Sequence, residues 1–406
     1  MSKKKKMVPQ LRFPGFSGEW EERKLGEVYT QRNERGFDSL QILSVSIHHG
    51  VSNEELDSDT LGKKVRRSED KSLYKHVYAG DLVLNMMRAW QGAIGVVQTE
   101  GMVSPAYITA IPSAQLYPPF MDYCLRRDET IGQIDNLSYG VTDFRKRLYW
   151  DSFTDVLCCI PSVAEQEKIT NFFKQLDRLI TLHQRKLTHL QVRKKGLLQK
   201  MFPKAGELFP ELRFPGFTDA WEQRKLTDEV ELYSGLTYSP NDVIKGGGTL
   251  VLRSSNVKNG EVINADNIYV KSEVVNVDNV HEGDVIVVVR NGSRSLIGKH
   301  GQIKAKMDNT VIGAFMMGMR SSNTAFTNAL LSTPVFDKEV EKNLGATINQ
   351  ITNGMFKNMH FMFPNEEEQI KIGDYFSNLD NLITLHQRKL DHLQNRKKAL
   401  LQQMFV

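Results

Sequence analysis

From Ile169 onward the chain sets down a stripe at spacings that alternate four and three: Ile169, Phe173, Leu176, Ile180, His183, Leu187, Leu190, Lys194, Leu197 and Met201. A second series repeats it as Ile372, Phe376, Leu379, Ile383, His386, Leu390, Leu393, Lys397, Leu400 and Met404, with the same residue at every step. A stripe with this seven-residue period predicts a long helix whose seam packs into a partner helix, as in coiled coils. No proline interrupts residues 164–202 or 367–406, so each helix can run about 38 residues, roughly 57 Å. The natural partner of each helix is the other copy; the alternative is that each stripe packs only on its own domain. A pseudo-twofold axis relating the two copies makes the helices antiparallel and places His183, midway along its helix, opposite His386. A histidine on an apolar seam is more often a packing residue than a ligand, although a facing pair can confer register and mild pH sensitivity.

Elsewhere the hydrophobic pattern is short-period. QILSVSIHHG (Gln41 to Gly50), GDLVLNMM (Gly80 to Met87), TLVLRSSNV (Thr249 to Val257) and GDVIVVVRNG (Gly283 to Gly292) are rich in β-branched residues and close on glycine or polar turns. They predict strands. Gly80-Asp81 and Gly283-Asp284 stand 203 residues apart, the same offset that relates the helical stripes.

The repetition extends beyond the helices and sets the domain plan. LRFPGFSGEWEERKL (Leu11 to Leu25) returns as LRFPGFTDAWEQRKL (Leu212 to Leu226), and residues 164–202 match 367–405 at 27 of 39 positions. These frame segments bracket two divergent inserts, each long enough for its own core. The expected organisation is a first domain over 1–163, a first helix over 164–202, a linker and second domain over 203–363, and a second helix over 364–406. The frame aromatics Phe13, Phe16, Trp20, Phe214, Phe217 and Trp221 are expected to pin each domain onto its helix, delivered by turns at Pro14-Gly15 and Pro215-Gly216.

A length of 406 residues with 40% hydrophobic and 25% charged residues fits a soluble multidomain protein rather than a disordered or fibrous one. No apolar run is long enough to span a bilayer and MSKKKKMVPQ is not a signal peptide, so a cytoplasmic protein without membrane contact is expected. The three cysteines, Cys124, Cys158 and Cys159, form no Cys-x-x-Cys pair and read as buried free thiols. The net charge of +5 is unevenly placed. The first eleven residues and the first helix are basic, the inserts are slightly acidic, and so charge by itself does not argue for nucleic-acid binding.

No self-contained active site is legible. Gly292 to His300 resembles a phosphate-binding loop, but five residues separate its glycines and His300 follows Lys299 where Ser or Thr is needed. Tyr117-Pro118-Pro119-Phe120 lacks the amide that an amino-methyltransferase motif requires, and Gly246-Gly247-Gly248 reads as a turn. His-Glu-x-x-His, Gly-x-Ser-x-Gly and zinc-type clusters are missing from the sequence.

The frame as a whole is similar to the specificity subunit of type I restriction-modification systems. The resemblance rests on LRFPGF followed by Trp and Glu-x-Arg-Lys-Leu, on Pro161 to Gln166 and Pro364 with Glu368 and Gln369, and on the duplicated LDxLITLHQRKLxHLQxRKK and LLQxMF. It implies an α+β fold: two tandem α/β target recognition domains related by pseudo-twofold symmetry and joined by two long antiparallel coiled-coil helices. It further implies a non-catalytic reader of double-stranded DNA, in which each recognition domain takes one half of a bipartite asymmetric target. The helices would set the spacer and dock two methyltransferase (modification) subunits, with restriction (translocase-nuclease) subunits as further partners. No cofactor is expected on this chain; S-adenosylmethionine, ATP and Mg belong to those partners. The competing readings are a coiled-coil scaffold that binds protein and an enzyme with an unfamiliar motif.

Base readout favours Arg, Asn and Gln, with Lys, Ser and Thr on phosphate. By that chemistry the first insert offers Arg88, Gln91, Tyr139, Thr142, Arg145, Lys146 and Arg147. The second offers Arg290, Asn291, Ser293, Arg294, Lys299, Asn349, Gln350 and Lys357. Lys63, Lys64, Arg66 and Arg67 form a further basic cluster suited to phosphate. Any of these can equally be an ordinary polar loop residue.

Overall fold

The structure is a computed structural model and describes residues 7–47, 50–52, 72–140, 146–344 and 349–406. Two compact units emerge, Met1–Leu182 with Leu390–Val406, and His183–Lys389. The division passes through both long helices, Val163–Met201 and Glu366–Met404. Each unit therefore holds one globular module, the start of one long helix and the end of the other.

In the first unit, Leu82–Asn85 is a central strand of a four-stranded antiparallel sheet, with Tyr107–Pro112 on one side and Ile94–Val96 on the other; Tyr29–Gln31 adds the far edge. Its sequence is apolar on both faces because both are covered. Leu82 and Leu84 face a core built with Phe120, Ile134 and Phe153, while Val83 faces a second cluster around Leu43 and Val77. In the second unit the same position belongs to Val285–Val288, inside a six-stranded sheet between Met316–Arg320 and His300–Gln302. Val285 and Val287 pack with Phe326 and Phe336, and Ile286 and Val288 with Leu252 and Ile312. A separate four-stranded sheet carries Thr249–Leu252. The four expected strand segments are thus all present, although Gln41 to Gly50 contributes Ser44–Ser46 and the first residue of its partner Gly50–Ser52, and Thr249 to Val257 breaks into a short 3-10 turn at Ser254–Asn256.

The paired Gly-Asp motifs do the same work in both modules. Asp81 accepts a hydrogen bond from the Tyr78 N–H and binds Arg32 through two contacts of 2.6 and 3.1 Å. Asp284 accepts from the His281 N–H and the Tyr233 hydroxyl and lies 3.4 Å from Arg320. In each module the arginine also lies 4.5 Å over a tyrosine ring, Tyr78 or Tyr233. A buried carboxylate held this way closes the turn that launches the central strand.

The frame segments tie each module to its helices. Arg12 forms two 2.7 Å bonds to buried Glu165, and Arg213 repeats them to fully buried Glu368. Gln166 and Gln369 fold back onto the carbonyls of Pro161 and Pro364. The Pro-x-x-x-Glu-Gln motif is therefore a helix-start anchor. Gly15 and Gly216 adopt φ of 94° and 93°, the left-handed geometry of a type II turn. Of the aromatics that flank these turns, Phe13 meets Phe172 and Phe214 meets Tyr375, both edge-on, and Lys371 lies 4.7 Å over the Phe217 ring. Trp20 is buried against Phe120 and Phe405, and Trp221 against Phe202 and Phe326. The Leu11 N–H donates to Gln403 O as the Leu212 N–H donates to Lys200 O. Residues near the two chain ends are thus joined in the first unit as the continuous chain is joined in the second.

Within each unit the two helix segments run antiparallel. In the second unit His183 Nδ1 stands 2.9 Å from His386 Nδ1, and Lys194 binds Asp380 at 2.6 Å. In the first, Lys397 binds Asp177 at 2.5 Å. The expected facing of the two histidines is observed. Every seam position is buried or half-buried: Ile169, Phe173, Leu176, Leu187, Ile372, Phe376, Leu379, Ile383 and Leu390 are buried, and Ile180, Leu190, Leu197, Leu393 and Leu400 are half-buried. The stripe has a double use, because Phe173 and Phe376 at the helix starts also enter the module cores. Two lysines on the seam are explained by Asp177 and Asp380, which give them carboxylate partners on the other helix.

Cys124 and Cys158 are buried and Cys159 is half-buried, all as free thiols. Burial pushes the Cys124 thiol up to about 12. Among the described residues, no helix is long and apolar enough to cross a membrane.

Candidate nucleic-acid interface

The central strand of each module ends in a polar loop, and the same backbone bonds hold that loop in both. In the first module the Met86 N–H donates to Ala106 O and Met86 O accepts from the Leu148 N–H. In the second, the Val289 N–H donates to Phe315 O and Val289 O accepts from the Ile351 N–H. Two polar segments distant in sequence are thereby laid side by side at the strand end. One shared frame presents two different sets of side chains.

In the first module Arg88 and Gln91 are exposed on either end of a single 3-10 turn, Ala89–Gln91, closed by Gly92 at φ 94°. Tyr139 and Arg147 exchange two backbone hydrogen bonds of 3.0 Å. Tyr139 is exposed and stacks at 4.8 Å on Tyr149. Lys146 pairs with Asp135 and lies 5.8 Å over the Trp90 ring, which connects the two segments. Of the residues expected here, Arg88, Gln91, Tyr139, Lys146 and Arg147 share this end of the module. Thr142 and Arg145, like Lys63, Lys64, Arg66 and Arg67, lie outside the described residues.

In the second module Arg290 pairs with Gln350 in an isolated antiparallel bridge. Asn291 donates to Ser254 Oγ at 3.2 Å and accepts from the Ser293 N–H at 2.9 Å, while Asn349 donates to Gly292 O. Lys299 donates to Ser254 O, and burial lowers its pKa. Ser293 and Arg294 are exposed on the loop between. Lys357 is not part of this group. It occupies the last turn of helix Asn353–Lys357, which packs against the Leu226–Glu229 turn.

Two residues that sequence reasoning missed complete the second surface. Ser254 receives both Asn291 and Lys299, and Phe315, 54% exposed, carries the Arg290 guanidinium 5.0 Å over its ring. Neither had a sequence signal, since a Phe inside the run Gly313 to Met319 reads as core. Among the described residues, no group of three or more His, Cys, Asp or Glu is placed to hold a metal ion. The arrangement offers hydrogen-bond donors, cations and aromatic faces, the inventory of base and phosphate recognition.

A family model for the type I restriction modification DNA specificity domain matches residues 218–395. The type I restriction enzyme MjaVIII specificity subunit of Methanocaldococcus jannaschii is 22% identical over 298 residues, which cover 70% of this chain and 68% of that protein. Among solved structures, the S subunit of a type I restriction-modification system from M. genitalium is similar with a TM-score of 0.66 at 12% identity, over 98% of this chain and 99% of that one. Another, described as showing the structural basis of complex assembly and conformational transition of the type I R-M system, has a TM-score of 0.51 at 18% identity, over 97% of this chain and 98% of that one.

Proposed function

We propose that the chain is a specificity subunit of a type I restriction-modification system and that its two modules each read one half of a bipartite, asymmetric DNA target. The observation that carries this reading is the shared backbone frame around Met86 and Val289. It presents Arg88, Gln91 and Tyr139 in one module, and Arg290, Asn291 and Phe315 in the other. Two copies of one reading device with different side chains read different sequences.

Two modification subunits would dock on the long helices, and restriction subunits would join that complex. Leu179 and Leu182, and their repeat equivalents Leu382 and Leu385, are each 44–47% exposed. Apolar residues repeated on the solvent side of a helix suit a partner surface. S-adenosylmethionine, ATP and Mg would be carried by those partners, and the long helices would set the spacer between half-sites.

The test is to map methylated adenines across the genome of cells with and without this gene. The expected result is one bipartite motif that disappears with the gene while the modification subunit is still expressed. Persistence of every motif would overturn the reading. Inserting one seven-residue repeat into both helices should lengthen the unread spacer, and an unchanged spacer would refute the role given to the helices.

A further inference from the structure

The second module contains a cavity of about 480 Å³ beside the loop that carries Phe315, within the roughly 300–1,000 Å³ range of pockets that take planar organic ligands. Its wall is mainly apolar and aromatic, with Tyr238 and Phe315, and its polar part includes Ser254, Ser255 and Arg253, which pairs with Asp266 at 2.5 Å on the same wall. The cavity is continuous with the candidate interface. Ser254 holds Asn291 and Lys299, and Phe315 carries Arg290 on its ring.

Phe315 is not required by the fold. Its carbonyl receives the Val289 N–H as the Ala106 carbonyl receives the Met86 N–H in the first module. Where one module manages with a methyl group, the other displays a half-exposed aromatic ring beside a cavity. An aromatic face with a guanidinium behind it suits a nucleobase, because every base has a π-face and each such stack contributes substantially to binding. A base still inside the duplex presents only its edges in the grooves, so a base filling this cavity must leave the stack.

We propose that this cavity receives one nucleobase of the second half-site, drawn out of the duplex and laid against the Phe315 ring. The inference rests on the reading of the chain as a DNA-specificity subunit and adds a base-binding site within it. Arg290 positions the ring, and Ser254 and the Arg253–Asp266 pair form the polar side of the cavity.

The test uses the full-length chain assembled with its modification subunits and duplexes carrying the mapped target, with every base pair of the second half-site replaced in turn by a mismatch. A mismatch lowers the cost of extrusion. The wild-type complex should therefore bind one mismatched position more tightly than the matched duplex. Phe315→Ala, a fold-safe change given Ala106, should abolish that gain and weaken matched binding about tenfold or more, with binding to unrelated DNA unchanged. Ala314→Trp, which fills the cavity mouth from an exposed position, should do the same. If both variants keep the wild-type profile while the complex still binds and methylates its target, the cavity is no base site and only this inference falls. If Phe315→Ala weakens matched binding but Ala314→Trp and the mismatch profile do not change, Phe315 is a groove contact and the inference is again overturned. Absence of specific binding by the wild-type complex would instead remove the underlying reading.

Discussion

The antiparallel register of the helices can be tested through Lys194 and Asp380. Their side chains meet at 2.6 Å and are 14% and 11% exposed. At an effective dielectric constant of about 20, two unit charges at this distance attract by about 6 kcal/mol before desolvation is counted. Burial offsets much of that. It is the largest influence on Asp380 and holds its carboxyl above its ordinary pKa even though Lys194 and Lys304 pull it down. The pair therefore contributes modestly to stability but strongly to register, since the cost appears when one partner is lost. Lys194→Asp should destabilise the second unit by about 3 kcal/mol, the low end for breaking a buried pair, because two carboxylates would then share the site. Adding Asp380→Lys should restore stability to within about 1 kcal/mol of wild type, which measures a coupling between the two positions. Because a chain of two units need not unfold in one step, amide hydrogen exchange of residues 183–201 and 366–389 is the appropriate assay. The single variant should exchange on the order of a hundredfold faster there, and the exchanged pair should recover most of the protection. The reasoning is refuted if Lys194→Asp costs no more than the same change at exposed Lys195, or if the double variant is no better than the sum of the singles.

Four further outcomes are expected. Burial holds the His300 imidazole down to about 4, against 6.5 in the unfolded chain. The unfolded state then binds the extra proton first, so stability is intact above about pH 6.5 and falls by up to about 3 kcal/mol as pH drops toward 4; His300→Gln should flatten that slope in pH-dependent denaturation. Glu368→Gln strands Arg213 beside a fully buried site and should destabilise the second module by about 3–5 kcal/mol, seen as lost exchange protection at the start of the second helix. Gly235→Ala would set a Cβ 2.1 Å from the Gly313 carbonyl oxygen, a backbone clash expected to cost about 3 kcal/mol and measurable as a lower midpoint of chemical denaturation. In DNA binding, Arg294→Ala should reduce the slope of log affinity against log salt by about one with little change in sequence preference, whereas Asn291→Ala should relax discrimination at one position.

The duplicated frame, the strand ends and the helical seam were legible in the sequence because each is a periodic or repeated pattern, and a pattern survives without coordinates. The heptad spacing through His183 and His386 was enough to predict their meeting, since an antiparallel pair of identical stripes must cross at its midpoint. Exact identity at the lysines Lys194 and Lys397 was visible too, but not its cause. Each pairs with an aspartate from the other helix, 186 and 220 residues away in the chain, and no local rule connects such distant positions. The same holds for Arg12 with Glu165 and Arg213 with Glu368, anchors that look in sequence like ordinary surface charges.

The candidate interface divides in the same way. Residue chemistry alone picked out Arg88, Gln91, Arg290 and Asn291, whose side chains suit base recognition wherever they stand. Lys357 has suitable chemistry but stands on the helix Asn353–Lys357 rather than on the loop that carries Arg290. Ser254 and Phe315 had the place without any chemical signal, because a serine and a phenylalanine acquire a role only from what the fold sets beside them. Composition and periodicity determine which segments become helices, strands and repeated units, since those depend on neighbours along the chain. Which side chains share one surface was decided by the tertiary structure, where the bonds from Met86 and Val289 bring together loops that lie far apart in sequence.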